Sequence, residues 1–103
     1  MLKISIEELQ KKLGAFVKVE NCPSRNGCGE APNQFILNYA NGEILQSYDS
    51  LVGARVYGDS KYYFTDLHDY SKTTSAYVTR WSGLNTAQRR KAIENEKAIL
   101  IMP

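Results

Sequence analysis

The chain has a single histidine, a single tryptophan, two cysteines and three prolines, and its longest apolar run is the five residues from Ala98 to Met102. Each scarcity excludes something. A run of that length falls far short of the roughly 20 residues that span a bilayer, and Met1 to Gly14 interleaves charged with apolar residues instead of following the order of a secretion signal. No membrane association is expected, and the cytoplasm is the expected compartment. In that compartment Cys22 and Cys28, which flank Pro23-Ser24-Arg25-Asn26-Gly27, are expected as reduced thiols. Two thiols and His68 are fewer than the four ligands of a structural zinc site, so no metal is expected.

The scarcity extends to catalytic patterns. The chain lacks a glycine-rich phosphate loop ending in Lys and Ser or Thr, a serine nucleophile elbow and a zinc-protease histidine pair. His68-Asp69 has no further histidines to complete a metal-dependent phosphohydrolase site, and a lone histidine beside a helix start reads as a capping or packing residue. A thiol enzyme built on Cys28 and His68 would need a second base, so the glycines around Cys28 read as turn formers and the thiol as incidental. The expectation is a binding protein without cofactor, and not an enzyme.

A strong charge of one sign is also missing. The net charge is +2, which rules out an acidic DNA mimic and does not by itself call for nucleic acid. The distribution is uneven: residues 1–51 carry five basic and six acidic side chains, and residues 52–103 carry eight and five. The C-terminal half is therefore the place to look for an anionic partner.

What is present suggests one α+β domain over residues 1–103, an antiparallel sheet of two hairpins plus edge strands with short helices packed on one face. Ser5-Ile6-Glu7-Glu8 has the form of a capping box; Ile6, Leu9 and Leu13 follow at helical spacing, and Gly14 supplies the stop. Phe16, Val17 and Val19 read as a strand, followed by a loop from Asn21 to Asn33. From Gln34 to Tyr48 the period is two, with Phe35, Leu37 and Tyr39 on one face. Asn41-Gly42 is read as a type I′ turn, and Ile44, Gln46 and Tyr48 return. A second hairpin is expected from Leu51 to Thr65, turning at Gly58-Asp59-Ser60. A helix carrying Tyr77 and Trp81 should end at Gly83, and Asn85-Thr86-Ala87-Gln88 should open another. Ala98 to Met102 closes the chain as an interior strand or an extended tail.

Candidate binding residues come from aromatic and basic content. Six of the seven tyrosines lie between Tyr48 and Tyr77, and tyrosine combines a large contact area with a polar tip. Adjacent Tyr62 and Tyr63 must point to opposite faces of a strand, so at least one is expected to face solvent or a partner. Arg89-Arg90-Lys91 could meet phosphate or an acidic protein surface, although such triplets are common on surface helices and the plainer reading is a solvated helix face. The expected partner-binding set is Tyr57, Tyr62, Tyr63, Arg80, Arg89, Arg90 and Lys91.

Four segments together carry a resemblance: Pro23-Ser24-Arg25-Asn26-Gly27, Ala31-Pro32-Asn33-Gln34-Phe35, Gln46-Ser47-Tyr48-Asp49-Ser50 and Asp69-Tyr70-Ser71-Lys72-Thr73-Thr74-Ser75-Ala76-Tyr77. Over about residues 20 to 83 the chain resembles a family of small uncharacterised proteins of phages and other bacterial mobile elements. That resemblance implies an accessory protein that blocks a host defence. Its sharpest form is an anti-CRISPR inhibitor with a CRISPR effector nuclease as partner; a nucleic-acid-binding accessory module is the alternative.

Overall fold

The computed structural model describes residues 1–24 and 29–103. Its centre is one seven-stranded sheet in the order β1-β7-β6-β5-β4-β3-β2. Strands β2 (Phe16–Pro23), β3 (Glu30–Tyr39), β4 (Gly42–Ser47), β5 (Ser50–Val56) and β6 (Tyr62–Phe64) form a continuous antiparallel meander. The last strand, β7 (Ile99–Met102), lies parallel between β6 and β1 (Leu2–Ser5). The sheet is thus largely antiparallel, with a parallel flank in place of the two separate hairpins expected.

Both faces are covered, which corrects the expectation of helices on one face. Helix α1 (Ile6–Leu13) places Leu9 and Leu13 against Ile4, Ile44, Ala54, Tyr63 and Ile101. Helices α2 (Lys72–Ser82) and α3 (Thr86–Glu94) cover the other face, where Tyr77, Val78 and Ile93 pack on Leu45, Val52, Phe64 and Ala98. Alternation along a strand explains the division, because neighbouring residues such as Tyr63 and Phe64 enter different cores. Consecutive apolar residues, as in Tyr62-Tyr63-Phe64 and Ile99-Leu100-Ile101, are what a strand buried on both faces requires.

Local signals placed the helices well. Ser5 caps α1 by accepting from the Glu8 amide at 3.1 Å, and Gly14 ends it with φ 75°. Ser71 caps α2, Gly83 ends it in the left-handed region, and Asn85 with Gln88 forms a full capping box on α3.

The turns differ from expectation in instructive ways. The β3–β4 hairpin is present, and Ile36 and Leu37 pack on opposite faces. Its two linking residues, however, are Ala40 and Asn41: Gly42 pairs with Tyr39 inside the ladder, and neither Asn41 nor Gly42 has positive φ. Tyr48, expected within a strand, instead forms the β4–β5 turn with Asp49, at φ 56°. The expected loop from Asn21 to Asn33 is mostly strand, since Asn21 pairs with Phe35 and Pro23 with Glu30. Residues 25–28 lie outside the described residues, and with them the expectation placed on Cys28. Cys22 is a free, buried thiol whose pKa is pushed up by burial.

Candidate functional site

The structure separates the seven expected binding residues. Arg89 follows the helical stripe of α3: it lies four residues before Ile93, and both are buried while Arg90 and Lys91 are exposed. Its accessibility is 0%, which corrects the reading of the basic triplet as one surface patch. Tyr63 is 1% accessible, on the α1 face, with its hydroxyl donating to Asp59; burial and that carboxylate both push the phenol pKa up. Tyr62 faces the other way and is wedged between Trp81 and Phe64, with ring centroids 5.1 and 6.1 Å distant. Neither tyrosine projects freely into solvent, because both faces of the sheet carry a helix. Tyr57 is exposed on the β5–β6 turn.

Arg80 and Arg90 come together. With Asp69, Tyr70, Ser71, Lys72, Ser75, Ala76, Thr79 and Thr86 they line an open cleft of about 810 Å³ between α2, α3 and the segment that leads into α2. Arg80 donates to the carbonyls of Ser24 (2.9 Å) and Pro23 (3.3 Å), tying α2 to the end of β2. Arg90 pairs with Asp69, its Nε at 3.1 Å from Oδ2. The N-terminal turns of α2 and α3, neither holding an acidic residue, open on the same space. A second, smaller groove of about 430 Å³ takes in Tyr62 and Lys91 together with Lys97.

Arg89 is buried behind the cleft and does not line it, but it bonds to residues that do. Its Nε donates to His68 Nδ1 at 2.9 Å, and its two terminal nitrogens donate to Thr79 Oγ1, Leu84 O, Ser75 Oγ, Thr86 Oγ1 and His68 O at 2.6 to 3.3 Å. Three of those acceptors, Ser75, Thr79 and Thr86, are cleft residues. Among the described residues no carboxylate lies within ion-pair distance of Arg89; Asp69, the nearest acid in effect, is bonded to Arg90. Burial lowers the guanidinium pKa, yet arginine remains charged in proteins. The cleft therefore combines three cationic side chains in its lining, a fourth behind it, and one acid among the described lining residues.

His68 accounts for part of this arrangement and yields a prediction. To accept from Arg89, its Nδ1 must carry no proton, and burial, with further contributions from Arg89 and Arg90, pushes its pKa down despite Asp69. The unfolded state then binds the proton more readily, so stability is full above about pH 6.5 and declines as pH falls below it, by up to about 1.4 kcal/mol per pH unit. His68→Asn keeps an acceptor at the Nδ1 position and removes the titration. Thermal melts between pH 7.5 and 5 should show the wild type losing ground to the variant as pH falls; a constant difference would rule out His68 as the source.

The fold and the cleft define the class: a mixed α/β protein with a helix-covered sheet and a cationic, hydroxyl-lined cleft at a helix pair. Residues 18–97 match a family of unknown function (DUF8033), and the chain belongs to that family. No curated protein and no solved structure matches it. The matched segment contains every residue of the cleft. Among the described residues no group of His, Cys, Asp and Glu is arranged to hold a metal, and no helix is long and apolar enough to cross a membrane.

Proposed function

We propose that the protein acts by binding and not by catalysis, and that the α2–α3 cleft takes an anionic group presented by a macromolecular partner. The observation that carries this reading is the charge balance of the cleft: Lys72, Arg80 and Arg90 line it, Arg89 lies behind it with no ion-pair partner among the described residues, and Asp69 is the one acid among the described lining residues. Arginine paired with carboxylate or phosphate makes the stronger, charge-assisted class of hydrogen bond, and the hydroxyls of Ser71, Ser75, Thr79 and Thr86 add neutral contacts. The resemblance to phage and mobile-element proteins supplies the partner class, a host defence protein and in its sharpest form a CRISPR effector nuclease. The chain would inhibit it by docking on an acidic face. The composition of the lining also favours a second reading, since Arg, Lys, Ser and Thr are the side chains that contact nucleic-acid phosphates.

The double variant Lys72→Glu/Arg90→Glu tests both readings, because each residue is exposed and its replacement should move the melting temperature by only about 2 °C. With a purified CRISPR effector nuclease, the wild type should block cleavage at stoichiometric ratio and the double variant should need at least roughly tenfold more protein. With a fluorescent DNA duplex, the nucleic-acid reading expects affinity to fall steeply with salt and the slope to drop by about two in the variant. If the wild type acts on neither, or the variant matches it in both assays, the cleft is not the docking site.

A further inference from the structure

We propose that the protein pairs with a second copy of itself along β2, edge to edge and antiparallel, about a two-fold axis at Val19. Strand β2 ends the sheet, so among the described residues its outer edge has no neighbouring strand. Eight residues long, it exposes Phe16, Val17 and Val19 at 55%, 60% and 55%. Soluble proteins usually blunt such an edge by shortening it or covering it. The opposite edge follows that rule, since β1 has four residues and passes directly into α1.

Register shows which face each side chain takes. Val19 lies opposite Leu37, which packs into the α1 core, whereas Glu20 lies opposite Ile36, which packs into the α2–α3 core. Phe16 meets the edge of Tyr39, another residue of the α1 face, at 5.6 Å between centroids. Leu13 of helix α1 closes on Gly42 of β4, and the α1-side core extends to Leu37 and Tyr39 of β3, which are only partly buried, so that Val17 and Val19 of β2 stay exposed on the end of the sheet. The result is an apolar stripe on an open strand edge.

The charges on the other face select the occupant. Antiparallel pairing centred on Val19 places Val19 against its own copy, Val17 beside Asn21 of the second copy, and Lys18 opposite Glu20 in both directions. The stripe becomes continuous across the junction, while two opposite-charge cross-strand pairs form on the reverse side. In the single chain Lys18 and Glu20 meet each other loosely at 3.8 Å, on side chains more than half exposed. Register shifts at Val17 and between Asn21 and Pro23 confine regular pairing to the stretch around Val19. An isologous contact of this kind closes after two copies and does not polymerise.

Sedimentation equilibrium of the full chain, at about 100 µM and moderate salt, should give twice the 11.6 kDa chain mass. Lys18→Glu sets like charges opposite one another at both ends and should raise the dissociation constant at least roughly tenfold, whereas the swap Lys18→Glu/Glu20→Lys restores both pairs and should restore the dimer. Thermal melts of the two variants, on exposed positions, check that folding is unchanged. A wild type that sediments at 11.6 kDa up to about 0.5 mM overturns the proposal, and so does a swap that behaves like the single reversal.

Discussion

Replacing Arg89 with methionine is expected to lower the melting temperature by about 15–25 °C, the largest effect of any single substitution on the α2–α3 side of the sheet. Methionine fits the volume of the arginine stem but donates nothing. His68 O and His68 Nδ1 would then be acceptors in a buried space with no donor, Leu84 O would keep only the Ser82 hydroxyl at 3.4 Å, and Ser75 and Thr86 would keep only the 2.6 Å bond they already share. A buried acceptor left without a donor costs about 1–3 kcal/mol, so losing these bonds together removes a large part of the roughly 5–15 kcal/mol that holds a domain of this size together. Lysine should not rescue it, since a single ammonium cannot serve acceptors arranged around a planar fork. Circular dichroism melts of Arg89→Met and Arg89→Lys beside Arg90→Ala check the point. If Arg89→Met melts no lower than Arg90→Ala, the network does not stabilise the fold.

Gly42→Ala should be nearly as damaging, and for a different reason. A Cβ at this position would run into the backbone carbonyl of Arg55 and come within 2.6 Å of Leu13 Cδ2. The carbonyl belongs to the paired strand β5 and cannot rotate away, so the cost lies near the top of the overpacking range, about 3 kcal/mol, or a fall of about 10–20 °C. Gly58→Ala is the control. Gly58 has φ +88° with no atom near a Cβ, so it incurs only the left-handed backbone cost of about 1–2 kcal/mol. Should Gly58→Ala melt below Gly42→Ala, close approach is not what requires glycine at position 42.

These two positions show where the sequence was legible and where it was not. Asn41-Gly42 is a strong turn signal, and a hairpin does lie there. Yet the turn is formed by Ala40 and Asn41, because the amides of both donate to carbonyls around the end of α1, Ala15 O at 2.8 Å and Leu13 O at 2.9 Å. Glycine at 42 answers to Leu13 and Arg55, residues remote in sequence. Likewise the Arg89-Arg90-Lys91 triplet reads as one basic patch, although the Ile93 stripe already singles out Arg89 as the member sharing the buried face. What could not be read is that His68, Thr79 and Leu84 would gather around it as acceptors.

Signals carried by neighbouring residues therefore determined a good deal. Ser5, Gly14, Gly83 and Asn85 marked helix ends through bonds that span three or four residues, whereas which residue of Asp69 to Thr74 caps α2 was decided in the structure, by Ser71. Alternation over residues 34–39 and 51–64 marked strands. Tertiary structure alone decided the strand order, the parallel flank of β1 and β7, the burial of Tyr63 and Arg89, and the meeting of Lys72, Arg80 and Arg90 across one cleft. The reason is range. Caps and periodicity are short-range energies that a local window contains, whereas which face of a strand is covered, and whether a cation is solvated or enclosed, depends on elements that fold back from elsewhere in the chain.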